Sequence, residues 1–154
     1  MPCTIRYKFS QTFNAPAEAA YQWCTDYTPD DHALMSQGKA VRQIKKLSNT
    51  TILLTDSFQN AKETVVKEKL VQLYPDRHLW IATHISGPNR HSQFIYEVAA
   101  SGEGKSRLDF TAQHLESRQN LTQKEAEALS EQLRSHDGQI WKQLAFAMEK
   151  DLNR

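Results

Sequence analysis

Hydrophobic and polar side chains alternate near the start of the chain. In residues 4–13, "TIRYKFSQTF", Ile5, Tyr7 and Phe13 lie on one face with other apolar side chains, and polar side chains lie on the opposite face. Because successive side chains of a strand point to opposite faces, this pattern predicts a half-buried β-strand. In residues 14–27 the apolar side chains recur at helical spacing instead, which predicts a short helix that buries one stripe.

Alternating or apolar segments separated by turn residues fill the middle of the chain. They predict six further strands, at 39–47, 50–58, 62–74, 77–86, 90–99 and 105–115. Glycine, proline, asparagine and aspartate mark the links between them, as in "SGPN" and "SGEG". Since links this short join neighbouring strands, the sequence predicts an antiparallel meander.

Two capping patterns predict where further helices begin. Thr28 fits the N-cap of a second short helix over residues 28–35, with Pro29 at its first helical position. Thr122 and Glu125 form a capping box in front of a sequence whose apolar side chains step by three or four residues. That stripe continues to the end of the chain and predicts one amphipathic helix of about 30 residues.

These elements predict a single α+β domain over residues 1–154. Its order is one strand, two short helices, six strands and one long C-terminal helix. A seven-stranded antiparallel sheet curls, and the apolar stripe of the long helix is the natural cover for its inner face. The space that side chains leave unfilled between the curved sheet and the helix is a candidate cavity.

Composition and charge exclude several classes of partner. Hydrophobic residues make up 39% of the 154-residue chain and charged residues 24%, as in ordinary globular domains. The net charge of +1 favours neither nucleic acid nor an acidic partner. No apolar run approaches the roughly 18 residues of a membrane span, and we expect neither a signal peptide nor stable membrane insertion. Two cysteines without a CxxC motif suit a reducing compartment, so a cytoplasmic location is expected.

Three segments carry a resemblance to a known superfamily. They are "FNAPAEAAYQWCTDYTPDD" at 13–31, the hairpin "SGEGKSRLDFTAQ", and the final amphipathic helix. Together they resemble the START-related, birch-pollen-allergen-like superfamily, often called SRPBCC, over nearly the whole chain. The resemblance implies a helix-grip fold, in which a curved sheet wraps around a long C-terminal helix. Members include lipid and hormone carriers, polyketide aromatase/cyclases, chaperone activators and oxygenase domains with an iron site. It also implies their shared feature, an apolar cavity between the sheet and that helix.

The acidic segment "TDYTPDDH" is a candidate site of a different kind. Asp30 and Asp31 flank the predicted start of the second helix, where carboxylates favour the positive end of the helix dipole. Capping therefore explains both residues, and a metal or acid–base site that includes His32 is the alternative. The six histidines form no HxH or HExxH motif, so we expect no zinc or iron site and no cofactor.

The predicted strand at 77–86 has two apolar faces. His84 shares one face with Trp80, whereas Leu79 and Ile81 lie on the other, so the pattern leaves the inward face undecided. In the next strand Tyr96 is a candidate for orienting a polar ligand group through its hydroxyl.

Charged side chains inside the strands allow two interpretations. Asp56 lies on an apolar face: if that face is buried, the carboxylate needs a partner such as Arg42, Arg77 or a ligand. If the strand is an edge, Asp56 is solvated, and we favour that interpretation. The mixed-sign run "KETVVKEK" at 62–69 is likewise interpreted as a solvated face.

The long helix adds polar candidates at its middle. Gly138 is either a point of slack or bending, or a place where a ligand or a gate approaches the helix. His136 and Asp137 beside it are candidates for polar contacts at the cavity mouth. We expect the ligand to be bound by side chains around this cavity, namely Met35, Trp80, His84, Phe94, Tyr96, Phe110, Leu133, His136, Ile140 and Leu144.

The sequence favours a binding function over a catalytic one. We expect a monomer or homodimer that binds or transports a small hydrophobic molecule, such as a lipid, isoprenoid or aromatic compound, without catalytic residues or nucleic acid. The first alternative is an enzyme of the polyketide aromatase/cyclase type, with proton transfer by Tyr96, His84 and Asp56. The second is a protein-interaction module like the chaperone activators, which would use the concave sheet or the long helix.

Overall fold

A computed structural model describes residues 2–27, 40–59 and 61–153. Its strands are β1 (Pro2–Phe13), β2 (Ala40–Lys46), β3 (Thr51–Gln59), β4 (Thr64–Tyr74), β5 (Leu79–His84), β6 (Gln93–Gly102) and β7 (Lys105–Gln119). The α-helices among these residues are α1 (Ala17–Thr25) and α2 (Gln123–Leu152), and a 3-10 turn at Pro75–Arg77 joins β4 to β5.

The seven strands form one antiparallel sheet in the order β1-β7-β6-β5-β4-β3-β2. From β2 to β7 each strand pairs with the next one along the chain, as the short turns predict. β1 instead pairs with β7, so β1 and β2 lie at opposite edges of the sheet. The predicted seven-stranded sheet and long helix are confirmed, and this is the helix-grip fold. The second predicted short helix, at 28–35, lies outside the described residues.

Helix α2 covers the inner face of the sheet. Its predicted capping box is present: the Glu125 backbone N–H donates to the Thr122 hydroxyl, and the Glu125 carboxylate accepts from the Thr122 backbone N–H. The helix packs against β1 and fully buries Leu144 and Met148, while Phe146 on its outer side is exposed. The apolar stripe read from the sequence therefore faces the sheet.

Strand register settles which face of β5 is inward. Trp80, Ala82 and His84 are buried, whereas Ile85 beyond the strand is exposed. Trp80 pairs with Tyr96 of β6, and the register continues along both strands, so the larger aromatic side chains share the face that α2 covers. The face of β5 that carries Trp80 and His84 is therefore the inward one, and the face that carries Leu79 and Ile81 is the outer one.

Replacing Gly138 by alanine is expected to raise the free energy of unfolding by about 0.5–1 kcal/mol. Gly138 is inside α2, and an added Cβ there would meet no atom within 4 Å beyond its own helical surroundings. Urea unfolding measures the change. Gln139→Ala, on the exposed side of the same turn, is the control and should change stability by less than about 0.5 kcal/mol. A loss of stability in Gly138→Ala would show that the helix needs glycine at this position.

Candidate functional site

Two cavities lie between the inner face of the sheet and α2. The larger cavity measures about 390 Å³ and the smaller cavity about 90 Å³. Lys69, Tyr96 and Trp141 line both, so these three side chains stand between the two spaces. Because strands on one side and a helix on the other supply the walls, the site exists only in the folded chain.

Nine of the ten side chains predicted to bind the ligand line one of the two cavities. The larger cavity is lined by His84, Phe94, Tyr96, Phe110, Leu133, His136 and Ile140. Trp80 and Leu144 line the smaller cavity, which Tyr96 also borders. Met35, the tenth, lies outside the described residues. That these residues contact a ligand remains a prediction.

Aromatic rings form a continuous wall around Tyr96. Its ring stacks on Trp80 with centroids 4.8 Å apart and an interplanar angle of 4°. The rings of Tyr96 and Phe110 meet edge to face, with centroids 5.2 Å apart. Trp141 of α2 approaches from the opposite side, at 5.7 Å. Cross-strand register explains the cluster, since Trp80, Tyr96 and Phe110 are successive partners across β5, β6 and β7. Burial raises the pKa of Tyr96, so its hydroxyl stays protonated and can donate a hydrogen bond.

A buried ion triad lies beside this wall. Asp56 has no exposed surface and accepts two hydrogen bonds from Arg42, at 2.8 and 3.0 Å. The Lys69 ammonium lies 2.9 Å from the second Asp56 carboxylate oxygen. Burial alone would raise the pKa of Asp56, but the hydrogen bonds from Arg42 and the charge of Lys69 outweigh it and hold that pKa well below its ordinary value.

The triad corrects one expectation from the sequence. We expected Asp56 to be solvated on an edge strand, and this is wrong because β3 lies between β2 and β4. The alternative interpretation is correct: Asp56 is a buried carboxylate that pairs with Arg42. Arg42 lies on β2, and its register partner on β3 is Asp56, so the two side chains share the inner face.

The run at 62–69 is the second correction. Because β4 is an interior strand, alternate side chains of this run turn inward, and Lys67 and Lys69 line the larger cavity. Val71 continues the same face and is fully buried. The period-two pattern of Lys67, Lys69 and Val71 was the available signal, and the mixture of charges concealed it.

Tyr7 and Asp137 meet across the cavity. The Tyr7 hydroxyl on β1 donates a hydrogen bond to the Asp137 carboxylate on α2, and both side chains line the larger cavity. Burial raises the pKa of Asp137, against the opposing effect of the hydrogen bond from Tyr7. Burial and the neighbouring carboxylate also raise the pKa of Tyr7. Asp137 therefore retains its proton to higher pH than an ordinary aspartate does.

His84 is a neutral imidazole with an unused polar atom. The residue is 5% exposed, its ring meets Phe94 with centroids 5.1 Å apart, and its Nδ1 has no hydrogen-bond partner among the described residues. Burial, together with the charges of Lys69 and Lys67, lowers the pKa of His84 to about 3. At neutral pH one ring nitrogen can donate a hydrogen bond and the other can accept one.

Replacing His84 by glutamine is expected to make stability less sensitive to acid. Because folding lowers the pKa of His84 from 6.5 to about 3, the unfolded chain binds more protons between those values. His84 therefore subtracts stability as pH falls through that window, by up to about 1.4 kcal/mol per pH unit. Urea unfolding of both proteins from pH 7.5 to 4 measures the difference in slope.

The pH 7.5 measurement is the control for this comparison, because it reports the loss of the side chain without its titration. Asp56 and Asp137 also titrate in acid, so the slopes of the two proteins are compared with each other. Identical slopes would contradict the assignment of a buried, neutral imidazole.

Two structural findings bear on what the site can hold. Among the described residues, no group of three or more histidine, cysteine, aspartate or glutamate side chains is placed to hold a metal ion. None of the described helices is both long enough and apolar enough to cross a membrane.

Solved structures show which fold this arrangement belongs to. The Zhui aromatase/cyclase from a Streptomyces species matches with a TM-score of 0.73 at 13% identity, over 97% of this chain and 96% of that chain. Norcoclaurine synthase from Thalictrum flavum, solved with dopamine and hydroxybenzaldehyde, matches with a TM-score of 0.71 at 12% identity, over 98% and 87%. A START superfamily protein from Mycobacterium smegmatis matches with a TM-score of 0.68 at 13% identity, over 95% and 98%.

These neighbours share the helix-grip fold of the START-related superfamily, so the resemblance seen in the sequence is confirmed at the level of fold. No protein-family model and no curated protein matches the sequence.

Proposed function

We propose that the protein binds or transports a small hydrophobic molecule in the cavities between the sheet and α2. The observation that carries this proposal is the larger cavity, about 390 Å³, in which apolar side chains such as Phe94, Phe110 and Ile140 lie beside polar and charged ones. Its volume lies in the range of about 300–1,000 Å³ typical of ligand sites. Proteins of the same fold bind such molecules, as the synthase solved with two aromatic compounds illustrates.

The wall favours ligands with an aromatic ring. Tyr96 and Trp141 border both cavities, and aromatic side chains pack well against a flat ring in offset or edge-to-face arrangements. Affinity comes mainly from apolar burial, about 25 cal/mol per Å², less the cost of association. Ligands that extend from the larger to the smaller cavity pass the Lys69, Tyr96 and Trp141 side chains.

Binding of a neutral probe tests the proposal without presupposing the ligand's charge. N-phenyl-1-naphthylamine should bind saturably with one molecule per chain and quench tryptophan fluorescence, because Trp80 and Trp141 line the cavities. Native mass spectrometry of the protein as purified, followed by solvent extraction, should detect any molecule already bound. A protein that binds neither this probe nor any extractable molecule would contradict the proposed function.

An enzyme of the polyketide cyclase type is the second candidate, and the Tyr7–Asp137 pair favours it. The pair places an acid–base group beside apolar space, where His84 also lies. Asp56, which we had considered for this role, is instead committed to Arg42 and Lys69.

Hydrogen–deuterium exchange at the methylene of benzoylacetone in D₂O distinguishes an enzyme from a carrier. Enzymatic proton abstraction should give many exchanges per protein molecule and should be lost in Asp137→Asn. A carrier would leave the exchange at its rate in buffer.

The hypothesis that the protein is a protein-interaction module, which uses the concave sheet or the long helix, stays a prediction.

A further inference from the structure

The larger cavity carries a positive charge that the described residues leave without a direct partner. Lys67 and Lys69 project from the same face of β4 into the cavity wall. The Lys69 ammonium is 2.9 Å from Asp56. Lys67 has no carboxylate in salt-bridge contact among the described residues, and its ammonium lies 5.1 Å from the centre of the Phe58 ring.

The carboxylates near Lys67 make their direct contacts with other side chains. Asp56 is shared by two cations, Arg42 and Lys69, so the triad alone has an excess of one positive charge. Among the described residues that line the larger cavity, Asp137 is the carboxylate; its hydrogen bond is to Tyr7, and its charge acts on Lys67 without salt-bridge contact. A half-buried ammonium is costly unless an anion compensates it, so the wall formed by Lys67 would be stabilised by a negative group that enters the cavity.

His84 supplies a second, independent observation at the same place. It is the register partner of Lys69 on the neighbouring strand, it is 5% exposed, and its Nδ1 has no hydrogen-bond partner among the described residues. Buried polar atoms are seldom left unpaired unless a ligand or water completes them. An orphaned imidazole atom and an uncompensated ammonium therefore adjoin one cavity.

We propose that the ligand is an amphipathic carboxylic acid, whose carboxylate lies at the Lys67 and His84 wall and whose apolar body lies against Phe94, Phe110 and Ile140. This inference rests on the proposed function and specifies its ligand class. A carboxylate matches Lys67, the ammonium of the larger cavity that has no carboxylate in salt-bridge contact among the described residues. The ammonium and the neutral imidazole both offer N–H donors, which a carboxylate accepts.

A series of probes with one ring system and different head groups tests the proposal. The probes are 1-naphthaleneacetate, 2-(1-naphthyl)ethanol and 2-(1-naphthyl)ethylamine, titrated by calorimetry at pH 7.5. The acid should bind more tightly than the alcohol by about tenfold or more, as expected for a charge-assisted hydrogen bond, and the amine should bind most weakly. In Lys67→Met the acid should lose this advantage, while the affinity for the alcohol should change by less than about threefold.

Two control variants separate charge recognition from folding. Lys67→Arg keeps the positive charge and should retain the preference for the acid. Lys105→Met, an exposed lysine on β7, should behave as the unaltered protein.

Each contrary outcome has a distinct meaning. If the acid and the alcohol bind the unaltered protein equally, the carboxylate proposal falls and the proposed function stands. If the preference persists in Lys67→Met, the assignment to Lys67 is overturned. If none of the three probes binds, the proposed function fails, and this inference fails with it.

Discussion

Replacing Asp56 by asparagine is expected to lower the free energy of unfolding by about 3–5 kcal/mol. The substitution keeps the shape of the side chain but leaves Arg42 and Lys69 buried without the carboxylate that compensates them. An uncompensated buried charge costs much more than the loss of one hydrogen bond. Urea unfolding at pH 7.5 measures the change.

The sheet contains a matched control for this variant. Asp109 also pairs with an arginine, Arg107, at 2.9 Å, but both side chains are exposed. Asp109→Asn should therefore cost less than about 1 kcal/mol. Adding Lys69→Met to Asp56→Asn should recover part of the loss, because one of the two uncompensated charges is then absent. If Asp56→Asn and Asp109→Asn lower the free energy of unfolding equally, burial of the triad does not increase its contribution to stability.

Filling the larger cavity is expected to lower the affinity for N-phenyl-1-naphthylamine by about 100-fold, which corresponds to about 3 kcal/mol. The variant is Leu133→Trp combined with Ile140→Trp, two positions on α2 that line the cavity. Two indole rings would occupy space that the probe needs, and close-packed walls do not yield to added volume without strain. Fluorescence titration measures the affinity.

The control places the same two residues on the outside of the helix. Gln132→Trp combined with Gln139→Trp has the same seven-residue spacing, and both positions are exposed. This control should bind the probe as the unaltered protein does. Thermal unfolding of both double variants verifies that they are folded. Unchanged probe binding in the cavity variant would place the binding site elsewhere on the protein.

The sequence was sufficient for most of the fold because the signals there are local. Alternation in β1 and the capping box at Thr122 each depend on residues within a few positions of one another, and both are present as predicted. The inward face of β5 was undecided because Ile81 and Trp80 are both apolar. Pairing with β6 decides it, and pairing between strands is not encoded in either strand alone.

The polar part of the site was less accessible to sequence reasoning, for a physical reason. Lys67 and Lys69 belong to a run whose mixed charges also suit a solvated strand, and only the position of β4 inside the sheet turns them towards the cavity. Asp56 becomes an ion-pair partner only when β2 brings Arg42 beside it. Tyr7 and Asp137 are 130 positions apart in the chain, so tertiary packing alone brings them together.

The pairing of β1 with β7 has a consequence for how the chain is made. Ile5 of the first strand pairs with His114 of the last, so the N-terminal strand leaves the ribosome long before its partner is synthesised. Contacts between such distant residues slow folding, and unpaired strand edges favour aggregation. Until β7 emerges, the apolar side of β1, with Ile5 and Phe13, has no sheet to join. The β1–β7 pair can therefore form only after the other five strands have been synthesised.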